Sequence, residues 1–281
     1  MSDYHKFRPL LTAELADVCD QWLAAQPLKA EFEQRLWQRL RLEWNYNSNH
    51  IEGNTLTYGE TLLLLIHGRT RGEHLLREYE EMRGHDVAIE YLRSLAKEER
   101  MIGEGDIRDL NRIVLKEGFW RIAETVDGNP TRRWIEPGEY KTAPNHVITA
   151  TGELFHFATS EETPAKMAEF CHWLTEQIEQ PQQELMQLLA EIHHRFIAIH
   201  PFDDGNGRVV RLLLNYVLLR LELLPLIIQT SRRRSYLDAI AMADSGDLQP
   251  LAQFLEQSLL WSMQLGVRAA GELVELEELQ R

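Results

Sequence analysis

Apolar residues recur along most of this chain at three- and four-residue steps, the period of helices that bury one face. After a partly ordered lead-in, 1–28, with one short helix at 13–25 ending near Pro27, the run Phe32, Leu36, Leu40 and Trp44 predicts a helix over 29–51. Gly53 stands where a helix-ending residue belongs. Thr57-Tyr-Gly-Glu60 has the form of a capping box and opens the next helix, through Leu62 to Ile66. A fourth helix is expected over 73–97, with Leu76, Tyr79, Val87, Ile89, Tyr91 and Leu95 facing inward, and a fifth over 107–117, capped by Asp106. Residues 118–144 lose periodicity and carry Gly118, Gly128, Pro130, Pro137, Gly138 and Pro144, so they are assigned to loop.

The stretch 146–157 is the good hairpin candidate, with β-branched and aromatic flanks and a turn at Thr151-Gly152 or Gly152-Glu153. A helix follows at 165–179, opened by Thr163-Pro164, with Met167, Phe170, Cys171 and Leu174 inward. Leu185, Leu188, Leu189, Ile192, Phe196 and Ile199 mark the next, which Pro201 should stop while pushing His200 out of the α region. From Arg208 to Leu221 the chain is apolar on almost every side, as a helix buried all round must be. The last core helices occupy 237–262, and a Leu/Glu-rich helical tail runs to the end. The expected partition is an N-terminal helical region at 1–95, a core at 96–262 and the tail at 263–281.

Composition narrows the function. A net charge of −14 argues against a nucleic-acid partner, which needs a basic surface. The two cysteines, Cys19 and Cys171, have no metal spacing and fit a reducing compartment. The first twenty residues lack an apolar signal core, and no apolar run approaches the roughly twenty residues of a membrane span. A cytoplasmic protein with no membrane partner is the expectation.

The chemistry concentrates between two of the predicted helices, in His200-Pro-Phe-Asp-Asp-Gly-Asn-Gly-Arg-Val-Val-Arg211. Gly205 and Gly207 let the backbone approach a ligand, and N–H groups at a helix N-terminus suit an anion. Arg208 and Arg211 are three apart and share a helix face, with a geometry that suits phosphate oxygens. Asp204 fits such a site if a cation joins it, and Mg²⁺ held by one carboxylate plus phosphates is the usual arrangement. His200 is the group that can take a proton near neutral pH. Competing readings are weaker. His193, His194 and His200 have no metal-protease spacing, the Asp203-Asp204-Gly205 run lacks the closing Glu of a calcium loop, and the glycines are not followed by Lys-Ser or Lys-Thr.

These twelve residues resemble, position for position, the HPFx(D/E)GNGRxxR signature of the Fic family. The resemblance implies an all-α fold, a helical bundle with a small β-hairpin flap, and transfer of AMP from Mg-ATP to a protein Ser, Thr or Tyr hydroxyl, an acceptor on the chain itself included. It implies roles as well: His200 as base, Asp204 as the Mg²⁺ ligand, and Gly205, Asn206 and Gly207 around the phosphates. Arg208 would steady the β-phosphate, Arg211 would orient the γ-phosphate and Phe202 would anchor the loop. Tyr236 is similarly a candidate nucleotide contact near the adenine, its alternative being a core residue. Asn215, one turn beyond Arg211, would support that side chain.

A second motif, Ser48-Asn-His-Ile-Glu52-Gly53, resembles the (S/T)xxxE(G/N) pattern of inhibitory helices in the same family, here at about 41–53. The implied arrangement has Glu52 facing Arg211 in the place of the γ-phosphate, with Ser48 fixing the helix. Gly138-Glu-Tyr-Lys141 departs from the family's usual Gly-x-Tyr-Arg, and Lys is the poorer bidentate partner. Three alternatives stand beside AMP transfer: removal of AMP, transfer of another nucleotide or phosphate-containing group, and a regulatory module that only binds nucleotide. A homo-oligomer is compatible with all of them.

Overall fold

A computed structural model describes residues 3–124, 129–143, 146–148 and 154–278, and side chains are described for fewer of them. Among these, eleven helices run in order: α1 Tyr4–Phe7, α2 Ala13–Ala24, α3 Ala30–Ile51, α4 Tyr58–His67, α5 Leu76–Leu95, α6 Glu104–Leu115, α7 Thr163–Glu179, α8 Leu185–Ile199, α9 Asn206–Arg220, α10 Arg233–Asp244 and α11 Gln249–Glu278. Two antiparallel hairpins, β1 Phe119–Glu124 with β2 Pro130–Ile135 and β3 His146–Ile148 with β4 Leu154–His156, lie between α6 and α7. The fold is helical, as the periodicity implies. None of the described helices is long and apolar enough to cross a membrane.

The centre is α9. Val209, Val210, Leu212, Leu213, Leu214, Tyr216, Val217 and Leu218 are all fully buried, so this helix has no solvent face along its middle. Around it α8, α5, α6 and α3 each turn one apolar stripe inward, and α11 lies across α2, α8 and α10. One continuous core results, from Tyr4 and Phe7 through Leu40 and Trp44 to Met263. The lead-in is therefore more ordered than expected, since Phe7 and Leu15 are sealed in that core. The expected boundary at 263 falls inside α11, which continues unbroken through it.

Three further readings need correction. Residues 118–144 are not all loop: β1 and β2 pair in the register Trp120↔Trp134, Arg121↔Arg133 and Ile122↔Arg132. Helix α5 does not turn Leu76 and Val87 inward. They are exposed, and Glu81, Met82, Gly84, His85, Ala88, Ile89, Leu92 and Leu95 are buried instead, because α5 packs partly on a polar site. Helix α6 begins at Glu104, with Gly103 preceding it. Asp106 accepts the Gly103 N–H at 2.9 Å, so it caps from inside the first turn. The remaining boundaries agree closely. Thr57 and Glu60 form the capping box of α4, and the second hairpin is present, with its expected turn outside the described residues.

Candidate active site

The site is the loop between α8 and α9. Helix α8 ends at Ile199, and His200 follows with φ 48° and ψ 61°, a left-handed conformation uncommon for a side-chain-bearing residue. Pro201 excludes the right-handed α region for His200, and the bond from its N–H to the Phe196 carbonyl, 2.9 Å, closes the helix end in the left-handed alternative rather than in extended backbone. Phe202 is fully buried and pairs with Tyr140 in an isolated bridge, so the loop is anchored at its base.

Asn206 ties the loop to itself. Its side chain accepts the Phe202 N–H at 3.0 Å and donates to the Phe202 carbonyl at 2.8 Å, which holds the loop's shape and leaves one amide N–H uncommitted by these two bonds. Asn111, from α6, donates to the Asp204 carbonyl at 2.8 Å and accepts the Gly138 N–H at 2.8 Å. Gly205 has φ 81°, and a Cβ there would stand 2.8 Å from that Asn111 amide, so glycine is needed twice over.

The two arginines on the first turns of α9 differ in state. Arg211 is engaged: Nη2 lies 2.8 Å from Glu52 Oε1 and donates to the Ser48 carbonyl at 2.8 Å, while Nε donates to Ser48 Oγ at 3.0 Å. Glu52 and Ser48 both come from the end of α3, whose last carbonyls include Ile51, which accepts from Arg233 Nε at 2.9 Å. A Cβ on Gly207 would fall 2.3 Å from Glu52 Oε1, so this glycine is what admits the carboxylate to the first turn of α9. Arg208, equally buried, is under-used. Its Nη1 is 3.3 Å from Glu81 Oε2 and its Nη2 3.7 Å from Asp204 Oδ1, but Nε and Nη1 make no hydrogen bond among the described residues. A buried guanidinium with idle donors at a helix N-terminus suits a multiply charged anion.

Asp204 is surrounded by cations. Arg77 of α5 approaches at 3.3 Å and Arg121 of β1 at 3.1 Å, and the Arg77 guanidinium also covers the Phe119 ring. Arg133 of β2 pairs with Asp203. The cleft beside the loop, about 420 Å³, is lined by Glu52, Asn54, Arg77, Glu81, Arg121, Asp204 and Arg208 among others.

His200 is half-buried, with the Phe157 ring stacked on it at 4.2 Å between centroids. Burial first, and the Lys141 ammonium second, push its imidazole down to about 4, so it is neutral at physiological pH and able to accept a proton. Tyr236 lies in the core behind Arg211: it is buried, stacks on Phe254 and shares a 2.5 Å hydrogen bond with His193 Nε2. Burial drives His193 down to about 3, which keeps that pair neutral. Tyr236 also shares a side-chain hydrogen bond with Arg211, so it joins the core to the site. Asn215 does not reach Arg211; it exchanges both its amide bonds with the Leu226 backbone.

The structure thus brings together Ser48, Glu52, Gly53, His200, Asp204, Gly205, Asn206, Gly207, Arg208 and Arg211 around one cleft and its loop. Sequence reasoning missed Arg77, Glu81 and Arg121, whose arrival depends on α5 and on a hairpin it had assigned to loop.

A family model described as the Fic/DOC family matches residues 102–218. The crystal structure of a Fic domain containing signaling protein from Bacteroides thetaiotaomicron is 38% identical, with a TM-score of 0.83, over 92% of this chain and 97% of that one. Fic-1 from Caenorhabditis elegans, a fragment, is 26% identical with a TM-score of 0.75, over 93% of this chain and 72% of that one. The protein adenylyltransferase Fic of Culex quinquefasciatus is 30% identical over 233 residues, 81% of this chain but 42% of that protein. The chain spans about two fifths of the length of the curated relatives it matches.

Proposed function

The chain belongs to the Fic/DOC family, and from that premise we propose that it transfers AMP from ATP to a hydroxyl of a protein and is held inactive by its own α3. The observation that carries the reading is the contact between Glu52 and Arg211 at 2.8 Å, beside a neighbouring Arg208 with donors to spare and a neutral His200 on the same loop. The relatives named protein adenylyltransferase support the choice of AMP as the transferred group.

In this reading the phosphates of ATP lie along the N-terminus of α9. The hydroxyl oxygen attacks the α-phosphorus, the bond from that phosphorus to the bridging oxygen breaks, and pyrophosphate leaves. His200 Nε2 or Nδ1 takes the hydroxyl proton as the new bond forms. Arg208 and the free N–H groups of the helix start neutralise the charge that accumulates on the leaving pyrophosphate. Arg211 orients the far phosphate once Glu52 has left it, and until then ATP is confined to a pose unsuited to transfer. A Mg²⁺ ion would be held by Asp204 and the phosphates, supplying further charge neutralisation to the leaving group. Asp204 has the right chemistry for that ion, and Arg77 and Arg121 now occupy its carboxylate.

The hairpin β3–β4, next to His200 through Phe157, would register the target by strand addition and place its hydroxyl. One acceptor is a second copy of the chain. Two free thiols, Cys19 buried and Cys171 half-buried, fit a cytoplasmic setting.

The test is AMP incorporation from labelled Mg-ATP. Glu52→Gly should raise transfer, self-modification included, by at least tenfold over the unaltered chain, and Glu52→Gly combined with His200→Ala should abolish it. An inert Glu52→Gly protein would overturn the proposed inhibition. Loss of AMP from a premodified target, without addition, would favour the hydrolytic alternative.

A further inference from the structure

His200 adopts a left-handed backbone conformation that is unfavourable for a residue with a side chain, and such conformations persist where the surroundings over-determine them. Beside its own N–H bond to the Phe196 carbonyl, two bonds from one residue hold it. The Lys141 backbone N–H donates to the Pro201 carbonyl at 2.8 Å, and the Lys141 Nζ donates to the Ile199 carbonyl at 2.8 Å. The carbonyls immediately before and after His200 are thus both bound from residue 141. Tyr140 extends the same register through its bridge to Phe202, with the rings 5.8 Å apart. The Ile199 carbonyl is one of the orphan acceptors at the end of α8, so the ammonium also caps that helix. Lys141 is almost wholly buried, which is rare for lysine, and its Nζ lies 5.8 Å from the centre of the Phe157 ring that stacks on the His200 imidazole.

We propose that Lys141 is a positioning residue for the general base: it clamps the His200 peptide from both sides and places a cation beside the imidazole. The inference rests on the reading of His200 as the base. The clamp fixes where the ring points, and the cation acts on its proton affinity. Facing His200 are Lys141, which disfavours the imidazolium, and Asp204 and Glu52, which favour it. Facing Lys141 are Asp203 and Glu162, which favour its charge, and Arg133, which opposes it; burial outweighs them and brings the ammonium down to about 8. Lys141 is therefore charged at neutral pH, and His200 remains neutral until pH falls toward about 4.

The experiment uses the full chain carrying Glu52→Gly, into which Lys141→Met and Lys141→Arg are introduced separately. Methionine keeps the length but removes the donor and the charge; arginine keeps both. Lys141→Met should lower kcat by roughly tenfold to a hundredfold with KM for ATP changed less than about threefold, and Lys141→Arg should recover most of it. The His200 resonance, identified by its absence from His200→Ala, should titrate with a higher midpoint in Lys141→Met than in its Glu52→Gly parent, while burial keeps both below the ordinary histidine value. If Lys141→Met does not fold, Lys141→Gln, which retains a donor without charge, carries the same titration readout. A Lys141→Met protein with unchanged kcat and an unchanged histidine midpoint would overturn the inference, as would one that lost only thermal stability. If the Glu52→Gly parent itself transfers nothing, the reading of function falls. The titration needs no turnover, so a raised midpoint would then still support the cation's placement, and an unmoved one would still reject it.

Discussion

Two arginines three residues apart on one helix carry different information. Arg211 is satisfied by Glu52 and Ser48, whereas Arg208 keeps donors that the protein does not use. Removing Glu52 leaves Arg211 with its Ser48 bonds but without its carboxylate, so a buried cation loses its counter-charge. The ligand-free Glu52→Gly protein should therefore melt at a lower temperature than the unaltered chain. Mg-ATP should raise its melting temperature by more than it raises that of the parent, because binding there restores an anion to Arg211 and is no longer opposed by the lock. Differential scanning fluorimetry with and without Mg-ATP reads both effects, and equal ligand shifts in the two proteins would speak against Glu52 occupying a phosphate position. At this scale the sequence was informative because the site is local. His200 through Arg211 span one helix end, one loop and one helix start, so spacing alone puts them on one surface. It was uninformative for Tyr236, whose bonds to His193 and Arg211 come from elements distant in sequence.

Elements explain the other omissions. The hairpin β1–β2 escaped notice because its flanks hold Gly118, Gly128, Pro130 and Pro137 and its strands alternate Trp and Ile with Arg, an arrangement without a buried apolar face to advertise it. The alternation is nevertheless meaningful. Arg121 and Arg133, opposite one another, both turn toward the loop and meet Asp204 and Asp203, while Trp120, Ile122 and Trp134 are exposed on the other face. The hairpin thus sets the charge at the carboxylate proposed to hold the metal. Arg121 is more than half exposed, so its pair with Asp204 is worth no more than about 1 kcal/mol. Arg121→Ala in the Glu52→Gly background should lower the Mg²⁺ concentration for half-maximal AMP transfer by roughly twofold to fivefold, as a competing cation is removed. A Mg²⁺ titration of the transfer rate checks this, and an unchanged or raised requirement would mean that Arg121 and the metal do not compete for Asp204. The same reasoning accounts for α5. Its apolar residues promised an inward stripe that included Leu76 and Val87, yet tertiary packing selected the stripe holding Glu81 and His85, which faces Arg208 and Arg211.

For the whole molecule the question is whether α3, the helix proposed to inhibit, is an appendage. The partition expected from sequence placed it in an N-terminal region apart from the core, but Phe7, Leu15, Cys19, Trp22, Leu36, Leu40, Trp44 and Ile51 belong to the same continuous core as α9. Helix α3 packs on α5, α9 and α11, and α2 packs on α11. Burying each of those larger side chains contributes roughly 1.5–3 kcal/mol, so together they rival the roughly 5–15 kcal/mol by which a domain is stable at all. A lock that could be cut away without harm would have to contribute little to that core, and this one contributes much. It follows that activation by point substitution and activation by truncation should diverge. A chain beginning at Tyr58 loses Glu52 but also bares the faces of α9 and α11 that those residues cover, so it should be insoluble or melt without a cooperative transition, and transfer no AMP. Glu52→Gly in the chain of residues 1–281 should keep a single cooperative transition and transfer AMP faster than the parent. Circular dichroism melts and the transfer assay on the two proteins, side by side, distinguish the cases: a soluble, cooperatively melting and active truncated chain would show that α3 is a detachable inhibitor. The reverse outcome would tie inhibition to the fold itself, so that relief must come by moving Glu52 within an intact core, through the few residues around Gly53 and the Arg233 bond to Ile51 that set where α3 ends.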